Sequence, residues 1–521
     1  MLSGTIPFER YPGLPPLFLD FLRGLPQFYP DRPTIEAAAA RGRELLGRRS
    51  KLSADAFRAR VPQARAMAEE LAAGRAVAVL AGHQVGLFTG PLFTITKAFD
   101  AIRVARELTS RGVPAVPVFW ALTDDHDLDE IARTARPGKQ EALFVVLEGA
   151  DRSNRSPVGA LPLPEKVTEV LEGFREDAKA PDAPEILEAF ASRYRPGNSY
   201  GEAFIETIFD LVEGEPLLIL DPSSEPLRRQ SAEFFAAAAA KQSAVRETLR
   251  SATEGIERSG RTPAVAFRSD VFPFFSVEGG ERRRVTDPDS AARAAAAGTA
   301  WISTDVLTRP VFKSFLLPCA ASVLGASEIA YHAQSLPLFS LLDTREPVLL
   351  PRSHVVLVGP PERRAAEALG IAPEDLLRPV RPPEAPAIPE VERLRRTTDE
   401  IQTGLASLDP GLNRLDPTLS GALENARKKV THQLDQLMER IRKAAERKDE
   451  TTSSRRSKLE IMLLPLGAPA ERIYPPLVPM LAYGREALAT VRQAASGSLE
   501  GAGIVNMGAD RPAEKESVHA G

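Results

Sequence analysis

Cysteine is almost missing from this sequence: Cys319 is the single one in 521 residues. That excludes an intrachain disulfide and any zinc cluster built on cysteines. Set between Leu316-Leu317-Pro318 and Ala320-Ala321, the thiol reads as a small core hydrophobe with no basic neighbour to activate it. Long apolar runs are missing too. No stretch approaches the roughly 18 residues of a membrane helix, and the start Met1-Leu2-Ser3-Gly4-Thr5 lacks the basic and apolar regions of a signal peptide. The expected location is the cytoplasm, with no membrane partner. There is no surplus of positive charge, since 66 Lys and Arg face 70 Asp and Glu for a net charge of −4. No global field exists to hold nucleic acid. Histidine is scarce, six in all, which singles out His83 in a glycine-rich turn.

What is present is enough apolar content, 43%, for a large core, and a length beyond one ordinary domain. The chain is organised around 76–130. Ala76-Val77-Ala78-Val79-Leu80 and Ala115-Val116-Pro117-Val118-Phe119-Trp120 are short apolar runs, as strands buried on both faces of a parallel sheet are. Between them lie Gly82-His83-Gln84-Val85-Gly86-Leu87-Phe88-Thr89-Gly90-Pro91 and an apolar-periodic helix to Arg111. This is a βαβ unit, so the His83 turn and the acidic cluster after Trp120 should project from the same carboxyl edge of the sheet. Thr89 is expected to cap the helix and Pro91 to occupy its first turn, aiming amide donors at an anion in the crevice.

Further strands are expected at Leu143–Leu147, Leu217–Asp221 and Pro347–Ser353, a helix from Glu225 to about Gly255, and a β-hairpin within Thr262–Arg284 around Gly279-Gly280. The alternation predicts an α/β fold with a doubly wound parallel sheet. Prolines cluster between Pro360 and Pro389 as a linker. Beyond it Val391, Leu394, Thr398, Ile401, Leu405 and Leu408, then Leu419, Leu423, Ala426, Val430, Leu437 and Ile441, form two apolar seams around a loop at Asp409-Pro410-Gly411 and Asp416-Pro417. They predict an antiparallel α-helical coiled-coil arm that pairs two chains in a homodimer, or else packs on its own core. The expected division is a core over 1–385 with insertions at about 150–215 and 260–300, the arm over 386–448, a C-terminal segment over 449–495 packing on the core, and a disordered tail over 496–521.

His83, Asp125, His126 and Asp127 are the candidate catalytic residues. Asp124 joins that acidic cluster, yet adjacent residues cannot all ligate one ion. Acid/base work or capture of a substrate ammonium is the stronger reading, and no metal ligands are assigned. Lys97 reads as a phosphate ligand or a solvated face, and Arg309 and Arg352 as anion ligands or structural ion pairs. Glu328, Tyr331, His332 and Gln334, on neighbouring turns of one helix, and the turn residues Gly82, Gln84, Gly86, Thr89 and Gly90 complete the substrate- or nucleotide-binding set.

These motifs, Gly82–Leu92 with Lys97, Pro114–Trp120, Thr123-Asp124-Asp125-His126-Asp127, Arg309-Pro310 and Ser327–Gln334, in this order and with Phe28-Tyr29-Pro30 early and Glu446-Arg447-Lys448 late, resemble the BshC family, to which the cysteine-adding step of bacillithiol biosynthesis is ascribed. The resemblance covers essentially the whole chain. It implies a Rossmann-like core akin to class I aminoacyl-tRNA synthetases, with inserted connecting segments and a dimerising coiled coil. It also implies a ligase that joins the carboxylate of cysteine to the amine of glucosaminyl malate, with ATP, and Mg²⁺ beside it, activating cysteine as an acyl-adenylate. His83, Asp124 and His332 stand where the family pattern leads one to expect glutamine, glutamate and an aromatic. A second reading is a non-catalytic nucleotide- or sugar-phosphate-binding partner using the same crevice.

Overall fold

The computed structural model describes residues 4–24, 27–151, 154–379, 389–416, 418–446 and 450–508. Its main sheet runs Val348–Pro351, Cys319–Leu324, Val77–Gln84, Ala115–Leu122, Leu218–Leu220, all parallel, with the short Arg58–Ala59 strand antiparallel on the last edge. Read from Leu218–Leu220, the five parallel strands lie in chain order 3-2-1-4-5, the Rossmann arrangement. Alternate side chains enter separate cores. Val77, Val79, Phe119, Ile219 and Val323 pack on one face, and Ala78, Leu80, Trp120, Leu220 and Cys319 on the other. That is why these strands read as continuous apolar runs.

The first strand is longer than its apolar run. Gly82, His83 and Gln84 pair with Trp120, Ala121 and Leu122, and pairing can continue because a Cβ at Gly82 would lie 2.6 Å from the Trp120 carbonyl oxygen. The helix that follows is Phe93–Ser110. Thr89 does not cap it: Thr89 has a positive φ of 71°, and its N–H donates to the Tyr194 hydroxyl. Pro91 precedes the helix rather than lying in its first turn, and two amides at this end are already used, Leu92 N–H by Tyr474 O and Thr94 N–H by Pro91 O.

Leu143–Val146 is a strand, but it pairs only with Arg133–Arg136 in a two-stranded ribbon away from the main sheet. The expected helix after Glu225 is two, Glu225–Ala240 and Gln242–Arg258. The hairpin is Phe272–Glu278 with Glu281–Val285, extended by Ala300–Thr304 into a three-stranded antiparallel sheet.

The arm consists of Pro389–Ala406 and Thr418–Glu446. Asn413 bonds Ser420 near its tip, and Gln402 bonds the Arg427 carbonyl and Thr431 further down, so the helices run antiparallel. Asp409–Leu415 is helical rather than a loop, Asp409-Pro410 being tolerated in a first turn. The proline cluster from Pro360 to Pro389 is not all linker: Pro360–Ala368 is a helix with its prolines in the first turn, and 380–388 lie outside the described residues, as do Pro417, Arg447 and Lys448.

The tail differs most from expectation. Gly501–Asn506 is a strand, antiparallel to Thr5–Pro7 and parallel to Val355–Val358. Only its continuation over 509–521 lies outside the described residues.

Candidate active site

The strand order reverses between Val77–Gln84 and Cys319–Leu324, and a crevice opens at the carboxyl ends of strands at such a point. Two cavities occupy it. One, of about 360 Å³, lies at the switch point between His83, Phe93, Lys97, Lys313, Glu328, Tyr331 and Arg352. The other, of about 350 Å³, lies under the hairpin between Asp125, His126, Phe275, Arg282, Arg284 and Asp305. Gln84, Val306 and Arg309 line both and form the shared wall.

In the switch-point chamber, Lys97 is buried. Its Nζ donates to the Gly82 carbonyl at 3.0 Å and lies 2.5 Å from Glu328 Oε2. Glu328 also accepts the Gly325 N–H at 2.7 Å, so one ion pair ties the ends of the first and fourth parallel strands together. Burial works to raise the Glu328 carboxyl, but Lys97 outweighs it and holds the group below its usual range. Burial and then the Lys97 charge push the His83 imidazole down to about 3. His83 is therefore neutral at physiological pH, its ring edge-on to Phe93 at 4.9 Å. Gly90 backs that ring: a Cβ there would lie 3.6 Å from it.

Arg352 is 3% exposed and gives both terminal nitrogens to Glu471, at 3.0 and 2.9 Å. Glu471 also accepts from Tyr11, His354 and the Val355 N–H. Burial opposes its charge, yet Arg352 and His354 hold the carboxyl well below the usual range.

In the hairpin chamber, Arg282 is the hub. It donates to Asp125 Oδ1 at 3.2 Å, His126 Nδ1 at 2.7 Å, Ser303 Oγ at 3.1 Å and the Thr304 carbonyl at 3.2 Å, with its guanidinium 3.5 Å from the Phe275 ring centroid. Arginine has no acceptor, so His126 Nδ1 accepts and the ring proton sits on Nε2. Burial works to raise Asp125, but the charges of Arg282 and Arg309 and the His126 backbone N–H, which donates to it at 2.7 Å, outweigh burial and hold Asp125 well below the carboxylate range. Asp125 is thus a fixed anion.

Other candidates have different tasks. Asp124 is buried and accepts from Ser303 Oγ at 2.6 Å. Asp127 caps the helical turn Leu128–Ile131 through the Glu130 N–H. Gln334 holds both the N–H and the carbonyl of Val265 and donates to Thr253. His332 is buried, stacked on Tyr331 at 5.5 Å and pushed down to about 3 by burial. Gly86 abuts Gly90, where a Cβ would lie 3.0 Å from the Gly90 Cα. These shape the site from behind.

Four residues near the chambers escaped sequence reasoning: Glu130, Arg282, Lys313 and Glu471. Glu130 accepts from Gln84 Nε2 at 2.6 Å on the rim, and desolvation, then Asp127 and Asp125, raise its pKa. It stands three residues beyond Asp127, outside the acidic cluster. Arg282 sits in an undistinguished Arg282-Arg283-Arg284 run, of which only the hairpin register buries Arg282 at the centre of the chamber. Among the described residues no group of three or more His, Cys, Asp or Glu comes together to hold a metal ion, and no helix is long and apolar enough to cross a membrane.

Fold and site define a Rossmann-like α/β protein with a switch-point site of two adjoining chambers and a helical hairpin arm. Residues 33–353 match the family description "Bacillithiol biosynthesis BshC, N-terminal Rossmann-like domain", and residues 386–501 its "C-terminal coiled-coil domain". The chain belongs to the BshC family. Relatives named "Putative cysteine ligase BshC" include those of Koribacter versatilis, 27% identical over 95% of this chain and 98% of the relative, Solibacter usitatus, 28% over 86% and 87%, and Bacillus cereus strain AH820, 26% over 76% and 78%. A solved structure named "putative arginyl t-RNA synthetase" from Campylobacter jejuni aligns over 80% of this chain and 92% of its own at 10% identity and a TM-score of 0.20, too low to argue from.

Proposed function

We propose that this chain is a cysteine ligase of bacillithiol biosynthesis, joining the carboxylate of L-cysteine to the amine of glucosaminyl malate. The observation that carries the reading, beside the family and the relatives' shared name, is the pair of similar cavities meeting at Gln84, Val306 and Arg309: room for two substrates with a common wall where their reacting groups meet. ATP would supply carboxylate activation. The residues fit a polyanion, because Arg309, Lys313 and Arg472 line the switch-point chamber in addition to Lys97 and Arg352, whose charges Glu328 and Glu471 match. Mg²⁺ fits as a companion of the phosphates, the usual way it is held when the protein offers no cage.

The acceptor amine arrives as an ammonium and must lose a proton before it attacks. Asp125 is too weak a base, and His126 has its one acceptor nitrogen occupied by Arg282. Glu130 remains: on the rim beside Gln84, with its pKa raised, it holds the ammonium and takes the proton. Neutral His83 can donate an N–H to a developing oxyanion without competing for that proton. The coiled-coil arm pairs two copies in the cytoplasm, since Leu408, Leu415, Leu419 and Leu437 lie exposed along it.

The test is a mass-spectrometric assay of the purified chain with glucosaminyl malate, cysteine, ATP and Mg²⁺, omitting each in turn. A product heavier by cysteine minus water, lost without ATP, supports the ligase. No product in any mixture, despite thermal stabilisation by the ligands, supports the non-catalytic binding partner instead.

A further inference from the structure

We propose that Arg309 and Lys313 form a two-cation oxyanion clamp in the switch-point chamber, binding a phosphate or carboxylate group of a substrate, while Lys97 and Arg352 are fixed scaffold around it. The argument is one of unspent charge. Lys97 is matched by Glu328 at 2.5 Å, Arg352 by both oxygens of Glu471, and Arg282 by Asp125. A buried cation already paired and hydrogen-bonded gains little from a second anion and loses much if the first is displaced.

Arg309 differs. It is 9% exposed, lines both chambers, and its buried Nε has no hydrogen-bond partner; its side chain has no carboxylate within ion-pair distance among the described residues. A buried donor left unmade costs free energy unless a ligand completes it. Lys313 sits one turn later on the helix Arg309–Leu316, which places the two side chains on one face. Its Nζ lies 5.3 Å from the Trp120 ring centroid and likewise has no carboxylate partner.

Burial, Arg309 and Lys97 draw the Lys313 ammonium down to about 8, with Glu328 and Cys319 opposing and His332 also nearby. An incoming oxyanion would restore its charge. The inference deepens the ligase reading and rests on it only for the identity of the anion: a phosphate of the nucleotide or a carboxylate of the hydroxydicarboxylate acceptor.

The full chain is titrated calorimetrically with inorganic pyrophosphate and separately with L-malate, without cysteine. We expect one of the two to bind, with Arg309→Met and Lys313→Met each weakening it about tenfold to a hundredfold, the loss of a hydrogen bond to a charged group. Pyrophosphate assigns the clamp to the nucleotide and malate to the acceptor. The ratio of native to K313M affinity should fall as pH rises from about 7 to about 9. If R309M does not fold, Lys313→Met, at a partly exposed position, carries the test alone. Failure of the native chain to bind either anion, or unchanged binding in the variants, would overturn the clamp. Because binding is read without turnover, absence of amide product would sink the ligase reading while leaving this result standing.

Discussion

At the scale of single residues, the site separates charges that are fixed from charges that can move. Glu130 is the movable one. Glu130→Gln should lower kcat by about 10²–10⁴, the usual worth of a general base, with little change in KM for cysteine. A base works deprotonated, so native activity should rise with pH through a limb above the ordinary glutamate value of 4.5, toward which Glu130 is no longer held. That limb should be missing from the pH profile of the variant; if it persists, Glu130 is not the base.

Glu471 is the fixed one. Replacing it by glutamine strands Arg352 as a buried unpaired cation and should cost about 3–5 kcal/mol in urea unfolding. His332 and His354 are buried and pushed down to about 3 and about 4, each chiefly by burial. Their folded pKa values lie below the ordinary 6.5, so the unfolded chain binds more protons once pH falls past that value. Stability should therefore decline from about pH 6.5 toward pH 4, at up to about 1.4 kcal/mol per pH unit for each ring. H332F should reduce that slope in acid denaturation curves.

Elements carry the next set of consequences. The hairpin strand Glu281–Val285 alternates, so Arg282 turns into the site and Arg284 follows on the same side at the chamber's exposed edge, while Arg283 points away to solvent. Arg282→Lys should lose activity much as Arg282→Ala does, since one ammonium cannot replace a fork that serves Asp125, His126, Ser303 and Thr304 together. Arg283→Ala should be nearly silent in the same assay. The helical arm invites a different measurement. Glutamate at Leu415 and Leu419, exposed at 80% and 37%, should halve the mass seen in light scattering if the arm joins two chains. An unchanged mass would place the dimer contact elsewhere or show a monomer.

What the sequence made legible at this scale follows from range. The parallel strands and the arm announce themselves through local pattern, apolar runs and three-four spacing, because burial on two faces or along one seam leaves that imprint. Leu143–Val146 imitates the same pattern while Phe144 is 52% exposed, and nothing local distinguishes it. Gly501–Asn506, with two glycines in six residues, becomes a strand only because Thr5–Pro7 and Val355–Val358 flank it. Glu471 is silent for the same reason: its partner is 119 positions away. The strand-end candidates His83 and Asp125 were readable, as were Lys97, Glu328 and Arg309, whose charges act on them; Arg282, brought to Asp125 from 157 positions away, was not.

At the scale of the whole molecule, chain order and spatial order part company. The last strand lies between the first one and Val355–Val358, and the arm is an excursion between Arg352 and the carboxylate that neutralises it. A ribosome adds roughly 5–20 residues per second, so the 119 positions separating that pair correspond to roughly 6–24 s in which the nascent sheet can be complete while Arg352 waits for a counter-ion. Chains terminated before Glu471, however much of the sheet they contain, would be left at that stage and exposed to proteolysis, and translation must pass that residue before Arg352 has its partner.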